Sequence, residues 1–140
     1  MKHSIIYLTA VCLLIFGATQ LNAQSFNKRK NNYLILSKNI QQLKPVLMTA
    51  EKLLEEDGKK YGVFHMIICG KTVVDIANNP SFNALLKDAE TQGVKVFACG
   101  ISLQKFNINT ADLPKGLTVV DNGILYGFQL KKKGFITLTI

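Results

Sequence analysis

The stretch from Val63 to Cys69, with the sequence VFHMIIC, is the feature that most limits how this chain can fold. Apolar side chains fall on both faces of a strand formed here, so both faces have to be covered. Strands of this kind are typical of parallel sheets with helices packed on each side. The stretch therefore predicts a central strand of an α/β domain.

Strand and helix patterns alternate along the rest of the chain. Compact apolar or β-branched runs predict four more strands, at Tyr33–Leu36, Val94–Ala98, Leu117–Val120 and Phe135–Ile140. Helical periodicity, with Asn or Pro at starts and Gly at ends, predicts helices at residues 39–57, 80–92, 100–106 and 122–133. The order βαβαβαβαβ predicts a three-layer α/β/α sandwich on a mainly parallel five-stranded sheet.

The helical period also predicts which side chains face the sheet. In the first helix the inward stripe is Ile40, Leu43, Leu47, Ala50 and Leu54. In the last helix the inward side chains are predicted to be Ile124, Leu125 and Phe128.

The N-terminal segment has the layout of a secretory signal peptide. Lys2 precedes an apolar run from Ile5 to Ala18, and Ala23 is the small residue where a signal peptidase would cut. We therefore predict a signal peptide at residues 1–23, a flexible basic leader at 24–32 and a single domain at 33–140. The protein is expected to be exported, to the periplasm if the organism has two membranes and otherwise as a secreted protein. No membrane attachment is expected after cleavage.

The formal net charge of +8 would ordinarily suggest a nucleic-acid partner. The basic residues are scattered, apart from short clusters such as Lys28–Lys30 and Lys131–Lys133, which lie in a tail or at the end of an element. Export also separates the protein from nucleic acid. We predict a solvated basic surface and no nucleic-acid partner.

Removal of the signal peptide leaves two cysteines, Cys69 and Cys99, and one histidine, His65. Two cysteines are too few for a disulfide scaffold and the three residues lack zinc-ligand spacing, so no metal or cofactor is predicted. Each cysteine ends a predicted strand and precedes a glycine. Both are therefore expected at the carboxyl edge of the sheet, where open α/β proteins bind ligands. His65 is expected to be a buried, hydrogen-bonded side chain.

Cys99 lies between a predicted strand and a predicted helix. The backbone N–H groups of Gly100 and Ile101, at the helix start, favour an anion there and would lower a thiol pKa from its usual value of about 8.5. Gly100 also lacks a side chain that would block approach. The same position suits a small buried cysteine that only packs. Cys69 is either a core residue or a second thiol, which could bond to Cys99 only if their strands are adjacent.

Several short segments together resemble the DsrE/DsrF-like family of small α/β proteins. They are Gly93–Gly100 (GVKVFACG), Ile108 and Leu113, Val119–Val120, Asn122–Ile124, Gln129–Leu130 and Lys133–Phe135. The resemblance runs from about Tyr33 to Ile140. It implies a parallel five-stranded sheet and homo-oligomers, often trimers or hexamers. It also implies sulfur-relay chemistry, in which a cysteine at the position of Cys99 carries a persulfide between a sulfur donor and an acceptor, either proteins or small thiols.

Three hypotheses follow. The first is an exported DsrE-like, sulfurtransferase-like carrier that binds or transfers sulfane sulfur through Cys99. The second is a thiol–disulfide module that uses Cys69 and Cys99. The third is a non-catalytic oligomeric binding module in which both cysteines serve only packing.

Overall fold

The computed structural model describes residues 30–140, which form one five-stranded sheet with all strand pairs parallel. The strand order is β4-β3-β2-β1-β5. The strands are β1 (Asn31–Ser37), β2 (Tyr61–Ile68), β3 (Val94–Cys99), β4 (Leu117–Val120) and β5 (Ile136–Thr139). The helices are α1 (Leu43–Asp57), α2 (Pro80–Thr91), α3 (Gly100–Lys105) and α4 (Gly123–Lys132). The predicted α/β fold with a five-stranded parallel sheet is therefore confirmed.

Several boundaries differ from the prediction by one or more residues, and two of the differences concern the first strand and the first helix. β1 begins at Asn31, so the last residues assigned to the leader belong to a strand. A 3-10 turn at Ile40–Gln42 precedes α1, and Pro45 lies in the first turn of that helix, where its missing N–H costs no hydrogen bond. The predicted signal peptide and most of the leader lie outside the described residues. Within residues 30–140, none of the helices has the length and apolar character needed to cross a membrane.

The larger core lies on the sheet face that α1 and α2 cover. Phe64, Met66 and Ile68 of β2 point into it and are almost completely buried. The buried stripe of α1 is Leu43, Val46, Leu47 and Ala50. The prediction that Leu54 faces inward is wrong, because it is half exposed and Leu53 packs against the core instead. The buried stripe thus moves by one residue in the last turns of α1.

The opposite face is covered by α4, and here the predicted orientation is wrong. Ile124, Leu125 and Phe128 are 59%, 54% and 60% exposed. The side that faces the sheet is instead formed by Gly123, Gly127 and Leu130, which are spaced to share one face of a helix. The two glycines let the helix backbone approach the sheet, and the larger side chains then point outward.

The fit is tightest at Gly123. A Cβ atom placed there would lie 2.8 Å from Cys69 Sγ, 2.9 Å from Ile67 Cγ2 and 3.0 Å from Cys99 Cβ. At Gly127 the nearest atoms to such a Cβ are 3.8–3.9 Å away, which is ordinary van der Waals contact. Only the first of the two glycines is therefore required by sterics.

We expect Gly123→Ala to lower the free energy of unfolding by about 1–3 kcal/mol, because the added methyl group overpacks the sheet contact. Gly127→Ala is the matched control on the same helix face. It should leave the stability unchanged or raise it by up to about 1 kcal/mol, since alanine is the better helix former. Urea unfolding of the two variants checks this, and equal stabilities would show that α4 does not pack this closely.

Candidate functional site

The two cysteines lie side by side at the carboxyl edge of the sheet. β2 and β3 are neighbours with Ile68 opposite Ala98, so Cys69 and Cys99 follow at the same level. Both cysteines pack around Gly123, where a Cβ atom would lie 2.8 Å from Cys69 Sγ and 3.0 Å from Cys99 Cβ. Cys69 is 6% exposed and Cys99 is 3% exposed, and neither forms a disulfide. The condition for a thiol pair, that the two strands be adjacent, is therefore met.

The start of α4 supplies the direct hydrogen bond to Cys99. The backbone N–H of Gly123, the first residue of α4, donates to Cys99 Sγ at 3.3 Å. Asn122 caps the same helix by accepting hydrogen bonds from the N–H groups of Ile124 and Leu125, at 3.1 and 3.0 Å. The cap holds the first turn in place, so the Gly123 N–H and the positive end of the helix dipole face the sulfur.

These donors shift the ionisation of Cys99 toward the thiolate. Burial raises the pKa of the Cys99 thiol, but the Gly123 N–H, the hydroxyl and N–H of Ser102 and the Cys69 thiol all lower it, and the net pKa lies below the ordinary value. Hydrogen bonds to the charged form stabilise that form. Ser102 is itself oriented by the Gly70 N–H, which donates to Ser102 Oγ at 2.8 Å. Because Ser102 Oγ accepts this hydrogen bond, its own proton remains available to donate to Cys99 Sγ.

Cys69 behaves in the opposite way. Burial, the charge of Cys99 and the hydrogen bond to Cys99 raise the pKa of the Cys69 thiol to about 12, although Lys38 lowers it slightly. Cys69 therefore keeps its proton and can donate it to the neighbouring sulfur. In this thiol pair, Cys69 is therefore protonated, whereas the surroundings of Cys99 favour its thiolate form.

The structure gives Gly100 and Ile101 different surroundings from those expected. The Ile101 N–H donates to the Asp121 carbonyl oxygen at 3.0 Å, so this donor is already engaged. A Cβ at Gly100 would lie 3.0–3.2 Å from the backbone of Val120 and Asp121. Because Gly100 has no side chain, the connection between β4 and α4 can pack directly against its backbone. The N–H that donates to Cys99 Sγ at 3.3 Å belongs to Gly123, at the start of α4.

Sequence reasoning did not single out Gly123 or Ser102 as parts of a site. Gly123 is followed four residues later by Gly127, a spacing that puts two glycines on one helix face and signals close packing. Ser102 comes three residues after Cys99, so a helix that begins at Gly100 places it in the same first turn. Either spacing could have drawn attention to these residues.

His65 lies on the same sheet face as the thiol pair but is not part of it. It is 7% exposed, and its ring is 5.1 Å from that of Phe97 and 5.3 Å from that of Phe135, measured between centroids. Burial, with a smaller effect of Lys95, lowers its pKa to about 4. Nδ1 has no hydrogen-bond partner in the described part of the protein. The histidine is buried as expected, but the prediction of hydrogen bonding is wrong for this nitrogen.

Within residues 30–140 no group of three or more His, Cys, Asp or Glu side chains is placed to hold a metal ion. What the site offers is a pair of thiols and a set of backbone and hydroxyl donors around one of them. Fold and site together define a small parallel α/β protein with a thiol pair at the carboxyl edge of its sheet.

The chain belongs to the DsrE/DsrF-like family, whose model matches residues 51–138. Among curated proteins no sequence matches the chain. Solved structures share the fold. One is the protein of unknown function MTH1491 from Methanobacterium thermoautotrophicum, with a TM-score of 0.65 at 14% identity, covering 80% of this chain and 99% of that one.

Two further structures are similar. The conserved protein of unknown function BT1422 from Bacteroides thetaiotaomicron has a TM-score of 0.57 at 22% identity, covering 79% of this chain and 95% of its own. The ychN protein from E. coli has a TM-score of 0.58 at 15% identity, covering 79% and 99%. At these identities the likeness concerns the fold alone.

We expect Ser102→Ala to raise the pKa of Cys99, because the thiolate loses the hydroxyl donor. The rate of alkylation of Cys99 by iodoacetamide follows the thiolate fraction, so the curve of rate against pH should move to higher pH. Peptide mass spectrometry measures the rate at Cys99 separately from Cys69. Ser81→Ala, at an exposed serine in the first turn of α2, is the control and should leave the curve in place. An unmoved curve for Ser102→Ala would remove Ser102 from the site.

Proposed function

We propose that this protein is an exported sulfur carrier that binds or transfers sulfane sulfur as a persulfide on Cys99. The observation that carries the proposal is the hydrogen bond from the Gly123 N–H to Cys99 Sγ at the start of α4. It favours the thiolate, which is the nucleophilic form of cysteine. Membership of the DsrE/DsrF-like family supports sulfur-relay chemistry for such a thiol.

Loading of Cys99 is a single displacement. The Cys99 thiolate attacks the outer sulfur of a persulfide or polysulfide donor, the S–S bond of the donor breaks, and the donor leaves as a thiolate. Transfer to an acceptor thiolate is the same reaction at the outer sulfur of the Cys99 persulfide, with the Cys99 thiolate as leaving group. A leaving thiolate of low pKa speeds such exchange, so the donors around Cys99 serve both steps.

The burial of both thiols limits which donors can reach them. The connection between β4 and α4 lies over the site, because Gly100 contacts the backbone of Val120 and Asp121 and Gly123 contacts both cysteines. A small persulfide or polysulfide needs less displacement of this connection than a bulky one. We therefore propose a small thiol carrier or a partner protein that moves the start of α4 as the source or acceptor of sulfur.

A thiol–disulfide function is the second candidate, and the contact between the two thiols favours it. It differs from the first in its product, which is a disulfide formed without any gain of sulfur. Under the third hypothesis, a non-catalytic binding module, both cysteines only pack against Gly123. Neither a persulfide nor a disulfide then forms.

The distinguishing prediction is that the wild-type protein takes up sulfane sulfur from inorganic polysulfide and Cys99→Ser does not. Peptide mass spectrometry after blocking of free thiols locates any added sulfur atom. Cys99→Ser is nearly isosteric and keeps Cys69, so it also controls for reaction at the second thiol. Equal uptake by both proteins, counted as bound sulfur plus released sulfide, would contradict the proposal. Loss of both free thiols in the wild type, with neither added sulfur nor released sulfide, would favour the thiol–disulfide function.

We also propose that the protein forms a homo-oligomer through α4 and β5. Three of the outward side chains of α4, Ile124, Leu125 and Phe128, are apolar, and a groove of about 200 Å³ between α4 and β5 is lined by Phe128, Lys131 and Leu138 among others. β5 is an edge strand and all of its residues are exposed. Contiguous exposed apolar surface and an open sheet edge are uncommon in monomers. A second copy of the chain is the partner that we propose for this surface.

Phe128→Glu should reduce the native mass to that of a monomer, because it places a charge in the proposed contact. Met48→Glu is the matched control, since Met48 is similarly exposed but lies on α1, across the sheet. Light scattering after size-exclusion chromatography measures both variants. A monomeric wild-type protein, or a Phe128→Glu protein of unchanged native mass, would overturn the proposed interface.

Export is proposed from Lys2, the apolar run Ile5–Ala18 and the small residue Ala23. Expression of the complete sequence in a bacterial host with two membranes should yield a periplasmic protein that begins at Gln24. N-terminal sequencing and fractionation check this. Recovery of the uncleaved chain from the cytoplasm would rule out the signal.

A further inference from the structure

Cys69 has no part in a sulfur carrier that works through Cys99 alone, yet it is placed to react with it. The β2–β3 register puts the two cysteines next to each other on neighbouring strands, which lie about 4.8 Å apart. The Cys69 N–H donates to the Ser37 carbonyl oxygen at 2.9 Å, so the backbone at Cys69 is still held against the next strand, β1. Disulfides join residues whose Cα atoms are about 4.4–6.8 Å apart. The spacing expected between these two cysteines therefore lies within the range that disulfides span.

The surroundings of the two sulfur atoms also give them different protonation states and therefore different reactivity. Cys99 faces the Gly123 N–H and favours the thiolate, which prepares it to accept sulfur. Cys69 keeps its proton because burial and the charge of Cys99 raise its pKa to about 12. When Cys99 carries a persulfide, the negative charge moves to the outer sulfur atom. The inner sulfur is then a neutral electrophile that directly faces the Cys69 thiol.

We propose that Cys69 is a resolving thiol that converts the Cys99 persulfide into sulfide and a Cys69–Cys99 disulfide. This inference rests on the proposed function, because it requires the persulfide to form. Cys69 Sγ attacks Cys99 Sγ, the bond between Cys99 Sγ and the outer sulfur breaks, and the outer sulfur leaves as hydrosulfide. The proton of the Cys69 thiol goes to the outer sulfur of the persulfide anion. The two cysteine sulfurs lose two electrons in total, and the sulfane sulfur gains them.

The step needs no external oxidant or reductant for a single turnover. Hydrosulfide is a weaker base than an alkyl thiolate, and exchange is faster when the leaving group is the weaker base. A second turnover requires an external dithiol, which would reduce the new disulfide and restore both thiols. The site would thus release sulfide from a persulfide donor while an external dithiol supplies the electrons.

The test is a single turnover with inorganic polysulfide, on protein recovered from expression of the complete sequence. Excess polysulfide is removed by rapid gel filtration, and then released sulfide and intact mass are followed together. The wild type should release one sulfide per chain and end two hydrogen atoms lighter than the reduced protein. Cys69→Ser should remain one sulfur atom heavier and release sulfide at least about tenfold more slowly, because the attacking sulfur of Cys69 is missing. Cys99→Ser should neither gain nor release sulfur.

The outcomes separate the two proposals. Equal persulfide lifetimes in the wild type and Cys69→Ser, with no sulfide from either, would overturn the resolving role and leave the carrier function standing. Failure of Cys69→Ser to gain sulfur at Cys99 would overturn both. Cys69→Ala is the second variant if a buried serine hydroxyl at this position impairs folding, and the same readouts apply to it.

Discussion

The close contact between the start of α4 and the sheet at Gly123 is the constraint on which the rest of the structure depends. It places one backbone N–H 3.3 Å from Cys99 Sγ and brings the same glycine against Cys69. The same close approach turns the larger side chains of α4 outward, where Ile124, Leu125 and Phe128 form an apolar surface. One steric requirement therefore shapes both the thiol site and the surface proposed for assembly.

Hydrogen-bond donors placed beside only one of two neighbouring thiols are enough to make the pair unequal. Cys69 and Cys99 come from equivalent positions on adjacent strands, and both are buried, so burial alone would raise the pKa of each. The Gly123 N–H and Ser102 lie beside Cys99 and reverse the effect there. The charge that they stabilise then raises the pKa of Cys69 further. The asymmetry comes from Gly123 at the start of α4 and from Ser102 of α3, and not from the strands themselves.

The sequence alone predicts the layers and strands well. Stretches such as Val63–Cys69 are almost entirely apolar, and such a composition indicates a buried strand. It also brings Cys69 and Cys99 to one sheet edge, since consecutive strands of this pattern commonly pair. It fails for α4, where hydrophobicity predicts that Ile124 and Phe128 face inward. In this helix backbone approach, which glycine permits, outweighs side-chain hydrophobicity. The sequence predicts donors to Cys99 from α3, because that helix follows Cys99 directly in the chain, whereas Gly123 of α4 is distant in sequence.

His65 is too far along the strand from the thiol pair to act on it as a general base. It projects from the same face of β2 as Cys69, but four residues earlier in the strand, a separation of about 13 Å. Its pKa of about 4 keeps it neutral at physiological pH among the rings of Phe97 and Phe135. The groups that favour the Cys99 thiolate are instead backbone N–H groups, a hydroxyl and a protonated thiol. None of these donors titrates near neutral pH, so the state of Cys99 is set by the packing of α3, α4 and Cys69 around it and persists for as long as that packing is intact.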